Sequence, residues 1–219
     1  RDALEQNLSV PETILINHIH DLHLAYAKWK EVVLKPVYSR FASQTLITPS
    51  LKHASSILTF NPKSPWIAQR HINGREICTY NIVHNGHITS HAAYPSTFTA
   101  GQGATIVFQH IHHPAIFDWI KAFVKKNQFT GQIAFDFIET LDGEIYALEC
   151  NPRATSGIHL LASHPQFIES FLNPQMGCIT PNHNYSSMIA TALLVYGLPA
   201  SLKKKQFITN FTNKTNFTN

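Results

Sequence analysis

The chain has 219 residues, 44% of them hydrophobic, and carries 17 Lys and Arg against 13 Asp and Glu for a net charge of +4. That length and apolar content suit a folded protein with a substantial core and exclude a disordered chain. The basic residues are scattered apart from Lys125-Lys126 and Lys203-Lys204-Lys205, so no nucleic-acid partner is expected. No apolar run approaches the ~18 residues of a spanning helix, so no membrane partner is expected either.

The opening, RDALEQNLSVPET, lacks the apolar core of a secretory signal, which favours a cytoplasmic setting, and it reads as the start of a fragment of a longer polypeptide. Cys78, Cys150 and Cys178 are odd in number and lack CxxC spacing, so neither a disulfide framework nor a zinc site is expected. The fourteen His residues occur as HIH, HIHH and single residues without HExxH spacing, and read as packing and surface residues.

In chain order, residues 1–8 read as the end of a helix and residues 11–16 as a strand. Asp21 reads as the cap of a helix with Leu22, Ala25, Tyr26 and Trp29 at helical spacing. Val32, Val33 and Leu34 form a short strand run that Pro36 ends, exposing Lys35 at its end. Residues 45–48 read as a strand, Pro49 as the first turn of a helix to Ile57, and residues 66–71 as a strand. Two alternating runs, 75–84 and 87–94, flank Asn85-Gly86, a strong hairpin signal. Residues 98–103 read as a loop and 105–110 as a strand. Pro114 opens a helix with an apolar stripe of Ile116, Phe117, Ile120, Phe123 and Val124. After Arg153, helical pieces are expected at 157–162, 165–172 and 186–196, followed by a low-complexity tail.

The richest segment is GQIAFDFIETLDGEIYALECNPR, two alternating runs joined at Asp142-Gly143. A two-residue primed turn there places Asp136 opposite Glu149, with Asn151 two residues further along the same face. Ile133, Phe135, Phe137, Leu148 and Cys150 then point into apolar packing. A bulge or a longer loop would move one carboxylate to the other face. Facing carboxylates repel, so the arrangement makes sense with a cation between them, and oxygen donors from Asp, Glu and Asn suit Mg²⁺.

Together, the strand ending in Lys35, the segment IAQRHINGREI and the closing LECNPRATSGIHLL resemble the ATP-grasp superfamily, from about Val10 to Leu161. The style is closest to its carbamoyl phosphate synthetase-like branch, and the Asp136-to-Glu149 spacing is similar to that of D-alanine:D-alanine ligases. The resemblance implies an α+β fold of two lobes with nucleotide between them: a small lobe over residues 1–68, a large lobe with the metal-binding hairpin over 69–200, and a tail over 201–219. It implies ATP and Mg²⁺ as cofactors. Lys35 matches the phosphate-contacting lysine, Gln69 begins the hinge, and the backbone of Arg70 and Ile72 matches the adenine contacts. Glu76 matches the ribose acceptor, while Asp136, Glu149 and Asn151 match the metal ligands. Arg153 matches the arginine facing the γ-phosphate or acyl phosphate.

The chain departs from the pattern in three places. The loop YSRFASQ offers Ser39, Ala42 and Ser43 where many relatives have glycines, Gln69 stands where many have Glu, and residues 1–10 hold no match for an upstream lysine. The implied activity is ligation of a small-molecule carboxylate to an amine or similar nucleophile through an acyl phosphate. Bicarbonate, an amino acid or another carboxylate all remain open. The alternatives are carbamoyl phosphate synthetase-like chemistry and an ATP-binding module without independent turnover.

Overall fold

Four short strands build a first antiparallel sheet from the amino-terminal third of the chain. The computed structural model describes residues 2–38, 44–61, 63–96, 99–100, 104–105, 107–182 and 186–188. After a short helix α1 (Asp2–Glu5), strands β1 (Thr13–Ile16), β2 (Val32–Pro36), β3 (Leu46–Ile47) and β4 (Trp66–Arg70) line up in the order β1-β4-β2-β3. Helices α2 (Ile19–Lys28) and α3 (Leu51–Ile57) cover one face. Leu22 and Ala25 of α2, Trp29 at its end and Ala54 of α3 pack there against Ile16, Val32, Leu34 and Ala68.

Both helix starts differ from expectation. Asp21 lies in the first turn of α2 rather than at its cap, and its carboxylate accepts the N–H groups of Asn17 at 2.9 Å and His18 at 3.0 Å. Ser50 caps α3, its hydroxyl accepting His53 N–H at 3.2 Å, so Pro49 lies just outside the helix.

The second sheet has the order β11-β10-β5-β6, from β5 (Arg75–His84), β6 (His87–Pro95), β10 (Gly131–Glu139) and β11 (Ile145–Asn151). Asn85 and Gly86 have φ of 46° and 80°, the double positive that a primed hairpin turn demands. Helix α4 (Pro114–Lys126) follows its Pro at the first position, and its Ile116, Trp119, Ile120 and Val124 are buried on one face of this sheet against Val83, Ile133, Phe135 and Phe137. The other face is divided. Over β5 and β6, a second core joins Tyr80, Ile82, Ala92 and Tyr94 to Phe108, Leu160, Leu161 and Met176. These last residues come from strand β9 (Val107–Gln109), a 3-10 turn (Ser156–Leu160) and the chain around helix α5 (Glu169–Leu172).

Two expectations about elements are corrected. Within the expected loop 98–103, Thr99–Ala100 (β7) pairs with Ala104–Thr105 (β8). Ser186–Met188 (β12) is a strand rather than the start of a helix, because Val107–Gln109 offers a free ladder that outweighs local propensity. The rest of the helix expected over 186–196, the tail 201–219 and the loop residues Ser39, Ala42 and Ser43 lie outside the described residues. Among the described residues, no helix is long and apolar enough to cross a membrane.

Candidate nucleotide and metal site

The half of the second sheet that carries β10 and β11 keeps one face clear of the cores, and the first sheet presents its helix-free face to it. Between them lies a cavity of about 280 Å³. Lys35 reaches it because β2 alternates: Val32, Leu34 and Pro36 are buried, while Val33 and Lys35 take the opposite, half-buried face. Burial holds the Lys35 ammonium below its ordinary pKa, while Glu149, Asp136 and Glu76 of the second sheet pull the other way. The cation of one sheet is thus set among the carboxylates of the other.

Asp136 pairs with Glu149, and Asn151 pairs with Ala134, so the three side chains share a face. The route to this register is not a two-residue turn. Thr140 N–H donates to the Glu144 carbonyl at 2.8 Å and Gly143 N–H to the Thr140 carbonyl at 3.0 Å, so the connection is longer, and pairing resumes at Glu139 with Ile145. That longer loop alone would set the carboxylates out of register. A bulge between Asp136 and Phe137 restores them, since Phe137 pairs with Ala147 and Asp136 with Glu149, leaving Leu148 extra. Two expected core positions are corrected. The bulge brings Ala147 into the core and turns Leu148 to the cavity, while Cys150 keeps its expected pairing with Phe135 but is exposed on the edge strand.

Burial pushes the Asp136 carboxyl up to about 6; the Cys78 thiol hydrogen-bonded to it and Lys35 work downward, and Glu149 and Glu76 work upward. A hard cation would relieve that repulsion, and two carboxylates with an amide oxygen form a donor set that suits Mg²⁺. Among the described residues no group of three or more His, Cys, Asp or Glu could hold a metal ion.

Arg153 lines the same cavity, exposed beyond Pro152. Its Nη2 donates to Asn151 Oδ1 at 3.1 Å and its Nη1 to the Ala154 carbonyl at 3.1 Å.

The end of β4, the link after it and the start of β5 contribute the remaining expected residues. Gln69 is buried and its Nε2 donates to Thr13 Oγ1 at 3.2 Å. The Arg70 guanidinium lies 5.8 Å over the Tyr146 ring, and Ile72 is buried at the cavity wall. Gly74 passes so close to β10 that a Cβ would collide with the Glu139 carbonyl and the Ile138 side chain, so the link needs a glycine there. Glu76 pairs with Ile138 and shares the face of Asp136. All nine residues singled out in the sequence therefore line one cavity.

The cavity wall also contains Cys78, Ser96 and His71, which the sequence reading missed. Cys78 was detectable: it stands two residues after Glu76 in one strand and so on the same face.

No family model and no curated protein sequence matches the chain. Solved structures do. An ADP complex of N5-carboxyaminoimidazole ribonucleotide synthetase matches with a TM-score of 0.66 at 17% identity over 83% of this chain and 51% of its own. Phosphoribosylamine–glycine ligase from Thermotoga maritima matches with a TM-score of 0.65 at 15% identity over 83% and 55%. The ATP-grasp ligase PsnB, complexed with its precursor peptide PsnA2 and AMPPNP, matches with a TM-score of 0.55 at 16% identity over 72% and 49%. The chain spans about half the length of these proteins. Two facing antiparallel α+β layers with a cleft between them, superposing on these structures, establish that this chain has the ATP-grasp fold.

Proposed function

We propose that the chain binds ATP with Mg²⁺ in this cleft and serves as the catalytic core of an ATP-dependent carboxylate ligase. The single observation that carries the reading is the meeting of Lys35 from one sheet with Asp136, Glu149 and Asn151 from the other in one cavity.

In this reading the backbone of Arg70 and Ile72 holds the adenine, Glu76 accepts from the ribose hydroxyls, and Asp136, Glu149 and Asn151 hold Mg²⁺. Bound there, Mg²⁺ neutralises charge on the phosphate oxygens. Lys35 follows the transferred phosphoryl group on a flexible stem, and Arg153 offers a planar, permanent charge to it. The carboxylate substrate attacks the γ-phosphorus to give an acyl phosphate and ADP, and an amine or similar nucleophile then displaces phosphate. No side chain of the protein need become covalently attached. Positioning and fixed charge supply the rate.

The test is ADP release by the full chain against pooled small carboxylates and amines with Mg²⁺. Release that depends on both pools supports the ligase, and full activity in Asp136→Ala, Glu149→Ala and Asn151→Ala variants refutes it. A second reading is a nucleotide-binding module without its own turnover. Calorimetric binding of AMPPNP with Mg²⁺, with no ADP release from ATP for any pool, would favour it.

A further inference from the structure

The amide oxygen that the proposed cation needs already accepts a hydrogen bond from a cationic side chain. Arg153 folds back on Asn151 through two bonds, Nη2 to Oδ1 at 3.1 Å and its backbone N–H to the Asn151 carbonyl at 2.8 Å, while Nη1 holds the Ala154 carbonyl at 3.1 Å. Pro152 between them has a fixed φ, which pre-sets the turn that returns the guanidinium to the amide. Asn151 has no other side-chain atom for a cation, because its amide nitrogen is a donor only. A guanidinium and a divalent cation gathered on one oxygen would stand a few Å apart and repel.

Resting on the reading of the cleft as a magnesium-nucleotide site, we propose that Arg153 is a placeholder that withholds Asn151 from the metal until a polyphosphate draws the guanidinium away. A bidentate pair with a phosphate is stronger than a single bond to a neutral amide, so the triphosphate wins Arg153 and frees the third ligand. The cation alone then binds weakly, with two carboxylates of which one is opposed by burial. Nucleotide and cation each improve the other's binding by the same factor, as linkage requires. Lys35 does not share this task, since its charged neighbours are Glu149, Asp136 and Glu76.

The experiment titrates the 219-residue chain with Mn²⁺, following free ion by electron paramagnetic resonance, with and without AMPPNP. Wild type is compared with Arg153→Met. For the ion alone, Arg153→Met is expected to bind about three- to tenfold more tightly than wild type, the scale of one ordinary net hydrogen bond. AMPPNP is expected to strengthen Mn²⁺ binding more in wild type than in the variant. Arg153 is exposed, so folding should survive, and Arg153→Gln repeats the comparison if the Met variant melts early. Equal or weaker binding of Mn²⁺ alone by the variant overturns the placeholder. If wild type then still binds Mn²⁺ together with AMPPNP, the nucleotide-site reading stands without it. Failure of wild type to bind Mn²⁺ even with AMPPNP overturns both.

Discussion

Lys35 and Asp136 belong to different sheets, yet each moves the other's protonation: the carboxylate supports the Lys35 charge against burial, and the ammonium supports the Asp136 charge. The two sheets are thus electrostatically joined across the cleft before any ligand arrives.

Replacing Lys35 by Met should therefore cost stability as well as binding. Its removal leaves Asp136 and Glu149 facing one another without a counter-charge, and because Lys35 is only half-buried the loss is expected below the ~3–5 kcal/mol of a fully buried pair. Under the proposed function, ADP release falls about 100- to 1,000-fold, as for loss of one pre-organised electrostatic contact. Thermal melts and turnover on the same preparation check both halves.

The pair Asp136 and Glu149 should show the opposite sign. In metal-free protein two facing carboxylates destabilise, so Glu149→Gln raises stability by about 0.2–1 kcal/mol. The same variant should lose Mn²⁺-AMPPNP binding. Chemical denaturation in EDTA, set beside Mn²⁺ titration, would expose a variant that is destabilised or still binds normally.

His91 makes stability depend on pH. Burial first, then His110, His112 and His113, hold its pKa down to about 3 against an ordinary 6.5. Asn81 Nδ2 donates to the Ile133 carbonyl, so Asn81 Oδ1 is the acceptor at 2.8 Å and His91 Nδ1 the donor, and burial keeps the ring neutral. The unfolded chain takes up the proton first as pH falls. The contribution is whole above about pH 6.5 and is lost as pH drops toward 3, at up to about 1.4 kcal/mol per pH unit. Urea unfolding at several pH values should show a shallower slope over this range in His91→Gln. An unchanged slope would locate the acid sensitivity elsewhere.

Gly74→Ala tests the link. A methyl group there meets the Glu139 carbonyl, which belongs to a rigid strand and cannot swing aside. Overpacking of this kind costs about 1–3 kcal/mol. A melting temperature equal to wild type would show that the link has slack. A lowered one accompanied by weaker AMPPNP binding ties this close approach to the cleft.

Much of this arrangement could be read from residues alone. The Asn85-Gly86 turn, the Pro114 start of α4 and the facing of Asp136 with Glu149 follow from local chemistry, since each rests on a few neighbouring residues. The register was nevertheless anticipated for an incomplete reason: a longer loop and a bulge offset one another, and alternation in a sequence cannot register two compensating insertions. The strand at Ser186–Met188 was misread because its partner, Val107–Gln109, is distant in the chain and leaves no local mark. Gly74 and Cys78 were passed over since their importance lies in what faces them, Glu139 and Asp136.

The surplus residue in β11 divides that strand's labour. Upstream of it, Ala147 answers to Phe137 and the hydrophobic interior; beyond it, Leu148, Glu149 and Asn151 answer to the cleft. Substitutions on the two sides should then be heritably independent, so that a lineage could retune the groups around its ligand without re-solving the packing beneath them.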